Sequence, residues 1–152
     1  MTGDRVDDQA ERELERLSFL YASTLDNRDR AGFVALFAED AVLTMLRRRR
    51  DADEVLARWT GHAELSLVPD RLEQSLRTLH VVANRLYEAS GDVATGRVYC
   101  EAHHIDDDGA VPVDRILYIR YRDKYCRTDG TSWRFEERAI EIEWSTNTFV
   151  EI

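Results

Sequence analysis

At 152 residues, 43% hydrophobic and 34% charged, the chain is long enough for one buried core and too apolar for wholesale disorder. Thirty acidic against twenty-one basic residues, a net charge of -9, argue against a nucleic-acid partner. No apolar run approaches the roughly 18 residues that span a bilayer, and the charged start MTGDRVDDQAERELER has no apolar segment to act as a secretory signal, so a cytoplasmic protein is expected.

No repeat, Pro-rich linker or low-complexity tract divides the sequence, which reads as one domain over residues 1–152. From Asp8 to about Leu25 the apolar residues Ala10, Leu14, Leu17, Tyr21 and Leu25 recur at helical spacing. Asp29 can cap a short second helix carrying Phe33, Val34, Leu36 and Phe37. Residues 41–46 read as a strand, and Asp51 or Asp53 can cap a third helix that buries Val55, Leu56 and Trp59. Residues 61–76 carry no clear pattern. Beyond them, runs rich in Val, Ile, Tyr, Phe and Trp predict four consecutive antiparallel strands near 77–89, 93–105, 115–128 and 132–144. Turn residues at Ser90-Gly91-Asp92, Asp106 to Gly109 and Asp129-Gly130 separate them. Helices collected on one face of a curved antiparallel sheet make an α+β domain with a natural pocket between the layers.

The candidate chemistry starts from four histidines. His62 lacks a patterned neighbourhood and reads as a surface residue. His80 opens the strand LHVVANRLYEA, whose flanking apolar residues imply burial. His103 and His104 are adjacent on a strand and must point to opposite faces, with parity grouping His103 with Tyr99 and Glu101. Which face is inward stays open, because one bulge inverts it. The sequence has no HxH, HExxH or CxxC spacing, so no metal is expected, and Cys100 and Cys126 read as reduced thiols. Asp26 ends the first helix, where the helix dipole disfavours a carboxylate unless a donor or cation compensates. Its alternative is to start the turn DNRD.

The segments LYASTLDNRDRAGFVALFAEDAVL, LHVVAN and RYRDKYCRTDGTSWRFEERAIEIEW together resemble the SnoaL-like branch of the nuclear-transport-factor-like superfamily. That resemblance implies a cone-shaped α+β barrel, with helices on a strongly curved antiparallel sheet enclosing a mostly apolar pocket, and proton chemistry that needs no cofactor. It casts His80 as general base and Asp26 as the carboxylate that orients it. Tyr21 and Arg138 are then pocket groups, and His103 a second polar catalytic group, with His104 nearly as good a match. Asn84, Tyr99, Trp59 and Tyr121 are expected to bind substrate. The chain departs from the family pattern at LTMLRRRRDADE, where Arg47 to Arg50 form either a solvated loop or a gate. The implied function is a dehydratase, isomerase or cyclase acting on a small hydrophobic polycyclic or polyketide-like molecule, as a homodimer or homotrimer. The alternative is a non-catalytic binder or the small subunit of a ring-hydroxylating oxygenase, since members of this superfamily do both.

Overall fold

The apolar stripe of the first helix faces a sheet formed mostly by the second half of the chain, and the core lies between the two. The computed structural model describes residues 7–107, 109–128 and 130–152; residues 108 and 129, within two of the predicted turns, lie outside that set. Helix α1 (Asp8–Asp26) starts where the Asp7 carboxylate accepts the Ala10 amide at 2.8 Å, and it buries Ala10, Leu14, Leu17, Tyr21 and Leu25 as the spacing predicts. Helix α2 (Arg30–Ala35) is capped by Asp29, which accepts the Gly32 amide at 2.9 Å. It ends before Phe37, which belongs to strand β1 (Phe37–Arg47).

The third predicted helix is a strand, β2 (Glu54–Thr60), antiparallel to β1. Capping residues and a short apolar run fit a helix locally, but the free edge of β1 offers backbone partners along its length, and pairing wins. Val55 is left 65% exposed and only Trp59 is buried. The unpatterned stretch folds into a short helix α3 (Gly61–Leu65) and a 3-10 turn (Pro69–Leu72). Four long strands follow: β3 (Arg77–Ser90), β4 (Val93–Asp106), β5 (Val113–Cys126) and β6 (Arg134–Phe149).

The six strands run in the order β2-β1-β6-β5-β4-β3. β1 pairs with β6 in parallel, so the sheet is mixed where an all-antiparallel one was expected. β2 and β3 remain free edges, so it is a curved open sheet and not a closed barrel. Bulges at Val82/Arg85 on β3, Tyr118/Ile119 and Lys124/Tyr125 between β5 and β6, and Leu56 on β2 opposite Met45/Leu46 bend it. On its inner face β4 presents Ala94, Gly96, Val98, Cys100 and Ala102, small residues that leave room against α1. A Cβ on Gly96 would lie 2.9 Å from both Tyr125 and Tyr87, so only glycine admits those rings. No described helix is long and apolar enough to cross a membrane.

Candidate active site

The helix-end argument for Asp26 finds its partners on β3. One carboxylate oxygen of Asp26, Oδ1, accepts His80 Nδ1 at 2.7 Å and Thr78 Oγ1 at 3.0 Å; the other, Oδ2, accepts the His80 backbone amide at 2.9 Å. Burial alone pushes this carboxyl up, but the His80 ring and amide together with Thr78 outweigh it and hold it below its ordinary value. Asp26 is therefore an acceptor, and Nδ1 of His80 carries the proton. The other ring nitrogen, Nε2, is left with a bare lone pair.

A residue missed from the sequence secures this junction. Arg28, with φ of 57°, closes the C-terminal turn of α1 in the left-handed region, where the Asp29 amide reaches back to Thr24 O at 2.8 Å. Its guanidinium donates to Leu25 O at 2.8 Å, to Thr78 Oγ1 at 2.7 Å and to Leu72 O at 2.9 Å, tying α1, the 3-10 turn and β3 together.

His80 opens onto a cavity of about 370 Å³ between α1 and the inner sheet face. Its apolar walls come from Leu25, Met45, Leu117, Ile119 and Ile140, and Tyr21, Trp59 and Tyr121 line it too. The second histidine in this cavity is His104, not His103: the His80 and His104 ring centroids lie 6.0 Å apart. Burial first, then the nearby His80 and Arg115, pull the His104 pKa down to about 4, so its ring is neutral near pH 7. His103 occupies the outer face, with Nδ1 2.6 Å from Asp114 Oδ2 and Nε2 3.8 Å from Glu101. The alternation along VATGRVYCEAHH carried this signal, because Ala94 through Ala102 are small or apolar at every second position and polar between.

Asn84 and Tyr99 do not line this cavity; both border a cleft on the outer face. Counting by twos from His80 brings Asn84 inward, but two β3 residues, Ala83 and Asn84, oppose one on β4. That bulge inverts the parity, so Tyr87 turns inward toward Ser18 and Asn84 outward. Tyr99 lies under the Arg120 guanidinium, 5.2 Å from its ring centre.

Arg138 is fully buried but lies one layer behind the cavity wall, a correction to its expected place in the pocket. Its guanidinium carbon stands 3.8 Å from the Tyr121 ring centre and 4.2 Å from that of Tyr21. Nε and Nη2 each donate to Asp123 at 2.8 Å, and Tyr125 Oη donates to the same carboxylate at 2.7 Å. Burial disfavours the charge on Arg138, yet the Asp123 pair more than offsets it and keeps the guanidinium protonated. Burial also raises the Tyr21 hydroxyl to about 12 against the lowering influence of Arg138, so it remains a donor.

Arg48 and Arg49 pair with Asp53 and Glu54 on the β1–β2 connection, and neither borders the cavity, which favours the solvated-loop reading over a gate. His62 is half-buried, with Nε2 2.9 Å from Phe37 O, so it braces α3 on β1. Among the described residues no three His, Cys, Asp or Glu side chains gather as a metal-ligand group.

A SnoaL-like domain model matches residues 8–139. Among solved structures, a Novosphingobium aromaticivorans protein provisionally assigned as a scytalone dehydratase is similar at 24% identity and TM-score 0.74, over 93% of this chain and 89% of that one. The hexachlorocyclohexane dehydrochlorinase of Novosphingobium barchaimii is similar at 16% identity and TM-score 0.76, over 95% and 96%. The beta subunit of a provisionally assigned aromatic-ring-hydroxylating dioxygenase from N. aromaticivorans is similar at 15% identity and TM-score 0.73, over 90% of each chain. These likenesses concern the fold. No functionally curated protein matches the sequence significantly.

Proposed function

The chain belongs to the SnoaL-like domain family, and from that premise we propose that it is a cofactor-independent lyase or isomerase, a dehydratase or cyclase, acting on a small hydrophobic polycyclic or polyketide-like molecule. The observation that carries this reading is the Asp26–His80 contact at 2.7 Å beside the cavity. Asp26 fixes the tautomer, and Nε2 of His80 takes a proton from a carbon next to a carbonyl or to a carbon bearing a leaving group. In an elimination the C–H electron pair becomes the new C=C bond and the C–O bond breaks. The departing oxygen receives a hydrogen bond from the Tyr21 hydroxyl or the neutral His104 ring and leaves as water with the abstracted proton. Arg138 supports the developing charge from behind the tyrosine rings.

The test is turnover of hydroxylated polycyclic and polyketide-like compounds, followed by mass spectrometry for loss of water or ring closure. His80→Ala should abolish it with the circular dichroism spectrum unchanged; full activity in that variant overturns the assignment of the base.

A second reading, a structural or oligomer-forming role, draws on the outer sheet face. Tyr118 stacks on Trp144 with centroids 4.9 Å apart, and Trp144 is 57% exposed. That face would serve a homodimer, a homotrimer or a larger oxygenase chain, and co-purification with such a chain, without turnover, would favour this reading.

A further inference from the structure

Among the described residues none that lines the cavity carries a carboxylate, although acidic residues outnumber basic ones by thirty to twenty-one in the chain. The acidic group nearest the chemistry, Asp26, stands behind His80 with both oxygens engaged. At the mouth stand two exposed arginines from separate elements, Arg71 of the 3-10 turn and Arg115 of β5, with the Gln74 amide beside them.

The two arginines are held differently. Arg71 has no carboxylate partner among the described residues; its guanidinium carbon lies 5.2 Å over the ring of Trp59, itself a buried cavity wall. Stacking orients the guanidinium plane while leaving its N–H groups to point elsewhere. Arg115 sits opposite His104 in the β4–β5 register, and its one ion pair among the described residues is a loose 3.4 Å approach to Asp106. Asp106 already accepts Ser75 Oγ at 2.6 Å, which fixes that carboxylate and, through it, the Arg115 side chain. Two oriented guanidinium groups, one of them only loosely paired with Asp106, at the rim of a low-dielectric cavity whose described lining has no carboxylate concentrate positive potential at its entrance.

We propose that the substrate is an anion: its apolar body fills the cavity, while a carboxylate or phosphoester oxygen group stays at the mouth between Arg71 and Arg115. Two oxygens of either group match the guanidinium fork and anchor one end of the molecule. The opposite end then lies against His80 and His104. The inference deepens the proposed function and rests on it for the identity of the reacting end, but binding reads the anion site independently of turnover.

The experiment is calorimetric titration of the protein with three probes of one shape: 2-naphthoate, 2-naphthyl phosphate and the neutral 2-naphthamide. At low salt, at least one acid should bind about tenfold or more tightly than the amide, and added salt should shrink that ratio. In the Arg71→Gln/Arg115→Gln double variant the ratio should fall to within about twofold, with amide binding retained. The tighter of the two acids identifies the anionic group as carboxylate or phosphoester. Equal binding of acid and amide by the wild type overturns the inference and leaves the proposed catalysis standing, as does an acid preference that persists in the double variant. Failure of all three probes to bind overturns the inference and the open-cavity reading together. A wild type that turns nothing over yet discriminates acid from amide keeps the anion site and sinks the catalytic proposal.

Discussion

Two histidine–aspartate pairs stand on opposite faces of the same sheet, and their contact distances barely differ: 2.7 Å for His80–Asp26 and 2.6 Å for His103–Asp114. What separates them is everything around the contact. Asp26 receives three hydrogen bonds, from a ring, a hydroxyl and a backbone amide, and its histidine side chain is 6% exposed beside a cavity. On the outer face Asp114 accepts one, its Oδ1 has no hydrogen-bond partner among the described residues, and His103 is 22% exposed with the Glu101 carboxylate nearby. A short His–Asp distance is thus not a mark of catalysis. The mark is a carboxylate clamped from several sides, whose histidine turns its free nitrogen toward space that a substrate can enter.

The largest effect that would break this contrast comes from matched amides. Asp26→Asn should lower turnover by roughly 10²–10⁴-fold, because the amide no longer fixes the Nδ1-protonated tautomer. Asp114→Asn should leave it within about twofold. Steady-state rates on any substrate that the wild type converts decide the matter, and equal losses in the two variants would erase the distinction between the faces.

Next in size is the buried ion pair behind the cavity. Both side chains of Arg138 and Asp123 are 0% exposed, so Arg138→Met leaves a carboxylate in the core with only the Tyr125 hydroxyl. Urea denaturation should show a loss of roughly 3–5 kcal/mol. Arg138→Met/Asp123→Leu should recover much of it, since no charge is then stranded. On the outer face Lys124–Glu137 spans two side chains more than half exposed, and Lys124→Met should move stability by at most about 1 kcal/mol.

The inner pair was legible through the family resemblance, which joins His80 to Asp26; the residues alone said only that a carboxylate at a helix C-terminus needs a partner and that a histidine opens an apolar strand. The helix α1 and the four long strands were readable because their periods persist for many residues. What failed was decided by tertiary partners or by a single extra residue. Residues 54–60 have a helix's capping signals and pair with β1 only because β1 has a free edge there. Asn84 lies one bulge away from the face that counting assigns it. Arg71 and Arg115 approach the same opening across 44 residues of sequence, and no local pattern announces that meeting. His104, by contrast, was recoverable from the small-residue alternation that leads up to it.

A pH titration sharpens the comparison further through His104. Its pKa falls from an ordinary 6.5 to about 4 in the fold, so between these values the unfolded chain binds a proton that the folded chain refuses. Stability is therefore fully present above about pH 6.5 and is lost as pH falls toward 4, by about 3 kcal/mol at about 1.4 kcal/mol per pKa unit. Asp26, held below its ordinary value, adds a loss of the same sign at still lower pH. Replacing the ring by His104→Asn should flatten the fall in Tm between these limits. The groups around the ring, His80, Arg115, Asp106 and Arg28, remain in both proteins, so the comparison isolates the loss of the His104 ring.

The smallest effect belongs to the outer histidine. His103→Gln exchanges a ring that is 22% exposed for an amide that can still donate to the Asp114 carboxylate, itself only 11% exposed. Its cost in urea denaturation should be at most about 1 kcal/mol, with turnover unchanged. No such replacement serves the inner histidine, because an amide in place of its ring would offer the cavity no basic nitrogen. If His103→Gln instead reduced turnover as strongly as His80→Ala, the outer face would carry part of the reaction. A partner surface or a second substrate contact would then have to be sought in the cleft bordered by Tyr99 and Arg120.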